Sequence, residues 1–196
     1  MKSTRIVLVL LILGQSSWAQ NVGFEKEFNE INRKLMAGLG AYAATNFVVS
    51  GVGYAQASQE HMKRFHEMNI MWNTVNMGLA IPGYIKASNS GQGLSSNEML
   101  RKQRNTERVF LINGALDAVY VSAGIWMCTL AEGQPDNEAL LTGYGNSLIL
   151  QGSFLFAFDS FAYYLHHNHL KKHPLLDGAR LYSSANGIGL RITLDR

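Results

Sequence analysis

The sequence predicts an all-α fold: a four-helix transmembrane bundle made of two helical hairpins, followed by a short C-terminal tail or β-hairpin. Three observations lead there. Charged residues make up 16% of the chain against roughly 25% in ordinary soluble domains, and the 47% hydrophobic fraction becomes about 57% once the 19 glycines are added. Four windows nearly free of charge are each long enough, at about 1.5 Å rise per residue, to cross a hydrocarbon core of about 30 Å or nearly so. Each window also carries one stripe of polar and small residues on an otherwise apolar helix. Mean hydropathy is −0.02, low for a multi-spanning protein, so the weight falls on the windows rather than on the average.

The chain opens with MKSTRIVLVLLILGQSSWAQ, in which Lys2 and Arg5 precede an unbroken apolar run from Ile6 to Leu13, and Ser17 and Ala19 occupy small-residue positions. This reads as a secretory signal peptide, residues 1–19, cut after Ala19. The run is too short for a span, which takes about 20 residues. Residues 20–170 are then the four-helix membrane domain and 171–196 the tail.

The spans are expected at about 35–56, 66–86, 108–131 and 141–165. Leu35 to Gln59 and Met68 to Ile85 carry no Asp, Glu, Lys or Arg; Val109 to Ala131 carries only Asp117, and Ala139 to Leu170 only Asp159. The connections are polar: QASQEHMKR, then KASNSGQGLSSNEMLRKQRNTER with its Gly/Ser-rich turn and charged helical lead-in, then AEGQPDNE. The second hairpin faintly echoes the first. Asn46, Gly51 and Gly53 match Asp117, Ser122 and Gly124 at a constant offset, the pattern of a parallel two-hairpin repeat. In the tail, Asn186-Gly187 between ARLYSS and IGLRITL is a hairpin-turn signature.

In FHEMNIMWNTVNMGLA the residues Asn69, Asn73 and Asn76 share one helix face. In lipid such a face must turn inward, because an amide facing hydrocarbon is costly and a central Asp costs about 2.5 to 3.5 kcal/mol on insertion scales. The same logic applied to every helix predicts a polar bundle interior of Asn46, Asn69, Asn73, Asn76, Asn113, Asp117, Gln151 and Asp159. Two readings of this interior compete. In one, amides and glycines are packing glue, each cross-helix bond worth about 0.6 kcal/mol. In the other, Asp117 and Asp159 are intramembrane ionisable groups in a proton, ion or ligand path. Alignment of the hairpins sets Asp117 near Asn46 and leaves Asp159 closer to a helix end.

The segments FHEMNIMWNTVNMGLA, INGALDAVYVSAG and GYGNSLILQGSFLFAFD resemble, in order and spacing, an uncharacterised family of small multi-spanning bacterial membrane proteins known only as a domain of unknown function. The likeness runs from about residue 25 to 170 and includes Asn69, Trp72, Asn73, Asn76, Asp117, Tyr120, Gln151 and Asp159. It implies four helices in a membrane and assigns no catalytic residue.

Other function classes are narrowed by what the residues are. Cys128 is the single cysteine, so there is no intrachain disulfide; beside Trp126 and Met127 it reads as a buried inert thiol. His166, His169 and His173 have spacings that can place two imidazoles on one metal, with further ligands to come from Glu25, Glu27 or Glu30. Among Lys171 and Lys172, however, they read as a solvated interfacial cluster, and no metal site is assigned. There is no P-loop, glycine fingerprint, HExxH or G-x-S-x-G. No catalytic residue or cofactor can be named, and the reading leans against an enzyme. Net charge is +3 with no basic stripe interleaved with aromatics, which argues against nucleic acid.

The expected partners are membrane lipid and a protein partner or second copy. The expected location is a bacterial inner membrane, multi-pass, and the leading function is a non-enzymatic scaffold or binding component of an envelope assembly. A small transporter or proton-coupled channel using Asp117 and Asp159 is the rival, and an interfacial lipid- or quinone-processing enzyme using His66, His166 or Asp159 the third. Orientation is contested, since cleavage after Ala19 leaves Lys63 and Arg64 facing the cytoplasm while the remaining basic residues face out, against the positive-inside rule. A water-soluble exported bundle with an unusually apolar core would remove that conflict.

Overall fold

The computed structural model describes residues 2–91, 93–173, 179–184 and 187–192, with side chains described for 22–91 and 93–173. Four long helices account for most of it: α1 Lys2–Gln56, α2 Glu60–Asn89, α3 Ser96–Ala131 and α4 Glu138–Lys172, the last preceded by a single 3₁₀ turn at Pro135–Asn137. Two strands follow, β1 Ala179–Ser184 and β2 Gly187–Ile192, paired antiparallel from Ala179 with Ile192 to Ser184 with Gly187. Gly187 therefore belongs to β2, one residue away from the turn that Asn186-Gly187 suggests; Asn186 lies outside the described residues.

Local chemistry sets the helix ends. At the start of α3, Ser95 caps the Glu98 backbone N–H while Glu98 accepts from both the backbone N–H (2.9 Å) and the hydroxyl (2.6 Å) of Ser95, a reciprocal box that satisfies two otherwise orphaned donors. Gly93 precedes it with φ of +129°, a conformation that only glycine adopts freely. Pro135 opens the 3₁₀ turn, where its missing N–H is not needed. The helices outrun the charge-free windows because the flanking polar residues are good helix formers: 35 residues in α4 and 36 in α3 reach about 50 Å, well beyond a 30 Å hydrocarbon layer.

Each hairpin packs on itself, α1 along α2 and α3 along α4, and the two meet where α2 packs on α4. The inner pair is thus α2 and α4, flanked by α1 and α3. The matched glycines of the sequence echo behave alike here: a Cβ at Gly53 would strike the His66 ring on α2, and one at Gly124 would lie 2.6 Å from the Gly145 carbonyl oxygen on α4. Gly51, by contrast, has open space around its Cβ position, so only the second glycine of GxG serves packing.

At the α3–α4 seam the two backbones approach closely. Gly145 would place a Cβ 2.7 Å from the Gly124 carbonyl, and Gly152 one 3.0 Å from the Asp117 carbonyl. Glycines seven residues apart on α4 let two backbones touch, the small-residue contact common where helices associate in lipid.

Three helical segments are long and apolar enough to cross a membrane: Val22–Gln56, Ser96–Ala131 and Pro135–Lys172. The sequence reading counts four spans; α2 is not among the three, its apolar residues being diluted by the polar row on its inner face. The interior changes character along the bundle. At the end where α1 around Phe24 meets the finish of α4, the core mixes apolar Phe24, Phe28, Met99 and Leu170 with buried Glu25, Gln103, His166 and His169. Toward the middle it becomes amide, with Asn73 and Gln151 both 0% exposed, while the outer surface is greasy: Val48 is 68%, Leu111 60% and Trp126 65% exposed.

Candidate functional site

The polar interior divides into two zones. The first joins the hairpins. Asn69 Oδ1 accepts from the Ser147 hydroxyl and from Gln151 Nε2, both at 2.8 Å, and Gln151 Oε1 in turn accepts from the Tyr42 hydroxyl at 3.2 Å. Asn73 Nδ2 donates to the Asn69 carbonyl at 2.7 Å, and Asn76 Nδ2 to Asn73 Oδ1 at 3.3 Å. Three helices are thereby linked by bonds that satisfy one another. The sequence pattern holds on α2, where Asn69, Asn73, Asn76 and Ala80 are its buried residues while Met71, Val75 and Leu79 are exposed.

The second zone is open. Because α2 and α3 pack against α4 but not along one another, they leave a groove of about 810 Å³ between them, floored by α4 and closed on one side by α1 from Phe28 to Leu39. Its volume is that of a small-ligand site. Asp117, Asp159, Asn113, Asn76, Trp72 and Tyr120 line the deep end. Val75, Leu79, Val109, Leu116 and Phe158 line the middle, and Lys86, Arg101, Lys102 and Glu98 the mouth.

Asp117 and Asp159 both line the deep end of this groove. This corrects two expectations. Asp117 shares the groove with Asp159 rather than lying by Asn46, because α1 packs on α2 and only α4 lies against α3; and Asp159 is a partner in the groove rather than a cap near a helix end. Asn46 is half-buried and donates to the Tyr42 carbonyl of its own helix at 3.0 Å, so it joins neither zone. Asn113 is half-buried on the groove wall. Asp117 Oδ2 and Trp72 Nε1 are buried and have no hydrogen-bond partner among the described residues, leaving one acceptor and one donor at the same deep end. Trp72 and Tyr120 meet edge to face with centroids 4.9 Å apart, holding the α2 and α3 walls in register.

At the mouth, Lys102 sits over the Phe28 ring at 4.8 Å and donates to Asn29 Oδ1 at 3.5 Å. Burial holds its ammonium below the usual lysine range; Glu25 opposes that shift and Lys86 adds to it from across the groove. Neither Lys86, Arg101 nor Lys102 has a carboxylate within ion-pair distance among the described residues. The mouth is a built concentration of positive charge.

A family model describes residues 38–160 as a family of unknown function, DUF6992. The chain belongs to that family. The DUF6992 segment takes in both polar zones and all three mouth cations, and it excludes Glu27, His169 and His173. No curated protein and no solved structure matches this DUF6992 chain.

Several residues of the site escape sequence reasoning. Ser147 is one helical turn before Gln151, a spacing that places it on the same face, but serine in a helix is too common to stand out. Lys86 and Lys102 read as ordinary flanking charges until the fold sets them opposite each other. Gly143 reads as a loop-end residue, yet a Cβ there would strike the backbone of α2 at His61. Of the third reading's candidates, His66 sits beside Gly53, and His166 lies behind Phe28 and Phe110, two rings of the groove wall, while neither histidine lines the groove itself.

Proposed function

We propose that this protein is an integral membrane binding component, a four-helix bundle that holds an anionic amphiphile of the bilayer in its lateral groove. The carrying observation is an apolar outside around an interior that includes a row of amides and two carboxyls. Beside the exposed Val48, Val75, Leu79, Leu111 and Val119, the helices bury Asn69, Asn73, Asn76, Asp117 and Gln151. On α2 the exposed apolar residues above the charged first turns run from Met71 to Ile85, about 21 Å of helix, most of a hydrocarbon core of about 30 Å. Water on the outside gives no reason for that arrangement, and lipid does.

The ligand class follows from the groove. Lys86, Arg101 and Lys102 suit a phosphate headgroup, the apolar middle suits a chain, and the unpartnered Trp72 Nε1 and Asp117 Oδ2 suit a hydroxyl or carbonyl at its inner end. Binding without turnover agrees with a site in which no nucleophile, base and orienter converge.

A second reading, a small proton-coupled transporter, draws on Asp117 and Asp159, two carboxyl groups that both line the groove inside apolar helices. It predicts liposome flux that Asp117→Asn abolishes.

The location belongs to the same proposal: an inner-membrane protein of a bacterial envelope, exported by residues 1–19 and cut after Ala19. Cleavage would set the basic end outside, whereas the positive-inside rule sets it in the cytoplasm; the N-terminal mass of the purified chain decides between them. The test of function is carbonate fractionation followed by native mass spectrometry of detergent-purified protein. A membrane-resident chain that retains phospholipid, and loses it in the Lys86→Glu/Lys102→Glu double variant, supports the proposal. A chain soluble without detergent overturns it. Protein retained in the same preparation would identify an assembly partner or a second copy.

A further inference from the structure

The last turn of α4 and the stretch of α1 around Glu27 meet outside the greasy band, at the basic end. His169 lies in that last turn, His173 is the residue that caps it, with its N–H bonded to the Leu170 carbonyl, and Glu27 of α1 reaches both. Glu27 Oε2 lies 3.4 Å from His173 Nε2 and 3.8 Å from His169 Nε2, and the three atoms are all within 4.8 Å of one another.

The hydrogen bonds around His169 fix which of its nitrogens carries the proton. Gln103 Nε2 donates to Glu107 Oε1 at 2.8 Å and to the His166 carbonyl at 2.6 Å, so both amide hydrogens are used and the amide cannot be flipped. Gln103 Oε1 therefore faces His169 Nδ1, 3.3 Å away, and Nδ1 is the donor. In the neutral ring this leaves a lone pair on Nε2. That atom is buried, has no hydrogen-bond partner and faces a carboxylate, and the His169 side chain is only 1% exposed. A lone pair close to a carboxylate oxygen is repulsive unless a proton or a metal ion stands between them, and a metal ion would also draw in His173.

We propose that Glu27, His169 and His173 form a divalent transition-metal site, with zinc the best-suited ion and a fourth position left to water. Two imidazoles and one carboxylate are a borderline donor set suited to zinc, and Gln103 supplies the outer hydrogen bond that orients a metal-bound imidazole. Donor atoms about 2.0 to 2.1 Å from a tetrahedral ion stand about 3.3 Å apart, and Glu27 and His173, at 3.4 Å, are already near that spacing. His169 is held in place by burial, while Glu27 and His173, 46% and 30% exposed, have the freedom to close on it. The Phe24 ring lies tilted at 4.1 Å from His169 and edge to face at 5.2 Å from His173, walling the site on its apolar side. Occupancy would clasp α1 at Glu27 to the end of α4.

The test uses the full chain in detergent, without a polyhistidine tag, stripped with chelator and titrated with Zn²⁺ and with Co²⁺ as a spectroscopic probe. One equivalent per chain is expected, with the visible bands of four-coordinate cobalt and a rise in melting temperature on adding Zn²⁺. His173→Ala and Glu27→Gln, both at partly exposed positions, should retain helicity and weaken binding tenfold or more. Gln103→Ala should weaken it by roughly 10- to 100-fold while leaving all three ligands in place. His167→Ala, two residues from His169, should change nothing. Absence of stoichiometric binding, or an affinity that His173→Ala and Glu27→Gln leave unaltered, overturns the assignment. So does an equal loss in His167→Ala, which would indicate diffuse binding by the cluster.

Discussion

Gln151 Nε2 donates to Asn69 Oδ1 at 2.8 Å, joining the two inner helices across the centre of the bundle. Neither residue has another route to water, since both are essentially unexposed. Their bond is the point where the two hairpins become one structure.

Replacing Asn69 by Leu strands both Gln151 and Ser147. A buried polar group left without its partner costs about 1 to 3 kcal/mol, and the expected loss is in that range, below a full sum because the two donors can find substitutes in a protein interior. Reversible unfolding in mixed micelles measures it. Stability equal to that of the parent would show the amide network to be incidental.

Gly124→Ala should destabilise more than its single methyl suggests. The new Cβ would lie 2.6 Å from the Gly145 carbonyl and 2.9 Å from Ile149 Cγ1, so α3 must move off α4, at about 1 to 3 kcal/mol for overpacking. Gly78→Ala, on the exposed side of α2 with nothing within 4 Å, is the control and should gain about 0.5 to 1 kcal/mol from helix propensity. Parallel melts that fail to separate the two variants would remove the close-seam account of the second hairpin.

Obstructing the groove separates binding from folding. Leu79 is 60% exposed and lines the middle of the groove, so Leu79→Trp fills it without touching the amide network. Retained phospholipid should fall several-fold with the melting temperature of delipidated protein unchanged. If lipid retention persists, the ligand lies elsewhere.

Glu98 gives a pH signature. Its hydrogen bonds to the Ser95 hydroxyl and backbone N–H hold its carboxyl below the usual glutamate range. A depressed folded value means that the stabilisation is present above the unfolded glutamate pKa and is lost as pH falls through the folded one. Glu98→Gln should therefore speed amide exchange in the first turn of α3 at neutral pH, and the difference from the parent should vanish in acid. A difference independent of pH would assign the effect to packing instead.

The helices were legible because their causes are local. Four charge-poor windows, Ser95 three residues before Glu98 and Pro135 in AEGQPDNE all act within a few residues, and helix ends at Gln56 and Ala131 fall where the windows end. The inward row of Asn69, Asn73 and Asn76 was legible for the same reason, since helical periodicity puts them on one face whatever they touch. Asn46 shows the limit: it obeys the same periodicity, yet it bonds back to Tyr42 because no neighbouring helix offers it a partner. The site was legible as a set of residues and not as a site. Asp117 and Asp159 stand out as charges in apolar windows, but nothing in either window states that the two line one groove. Glu27, His169 and His173 span nearly the whole chain, and their meeting depends on α1 and α4 sharing an end.

What the sequence determined by itself is therefore periodicity and polarity: which stretches are helical, and which face of each is apolar. Those properties arise between residues within two helical turns. What only the tertiary structure decided is adjacency: α2 against α4 rather than α3, the gap that becomes the groove, and the division of the polar residues into a closed network and an open pair. The physical reason is that helix packing is chosen by the fit of whole surfaces. At the α3–α4 seam glycines at 124, 145 and 152 allow a closer approach than the greasier outward face of α2 could reach, and no single stretch of sequence contains both sides of that comparison.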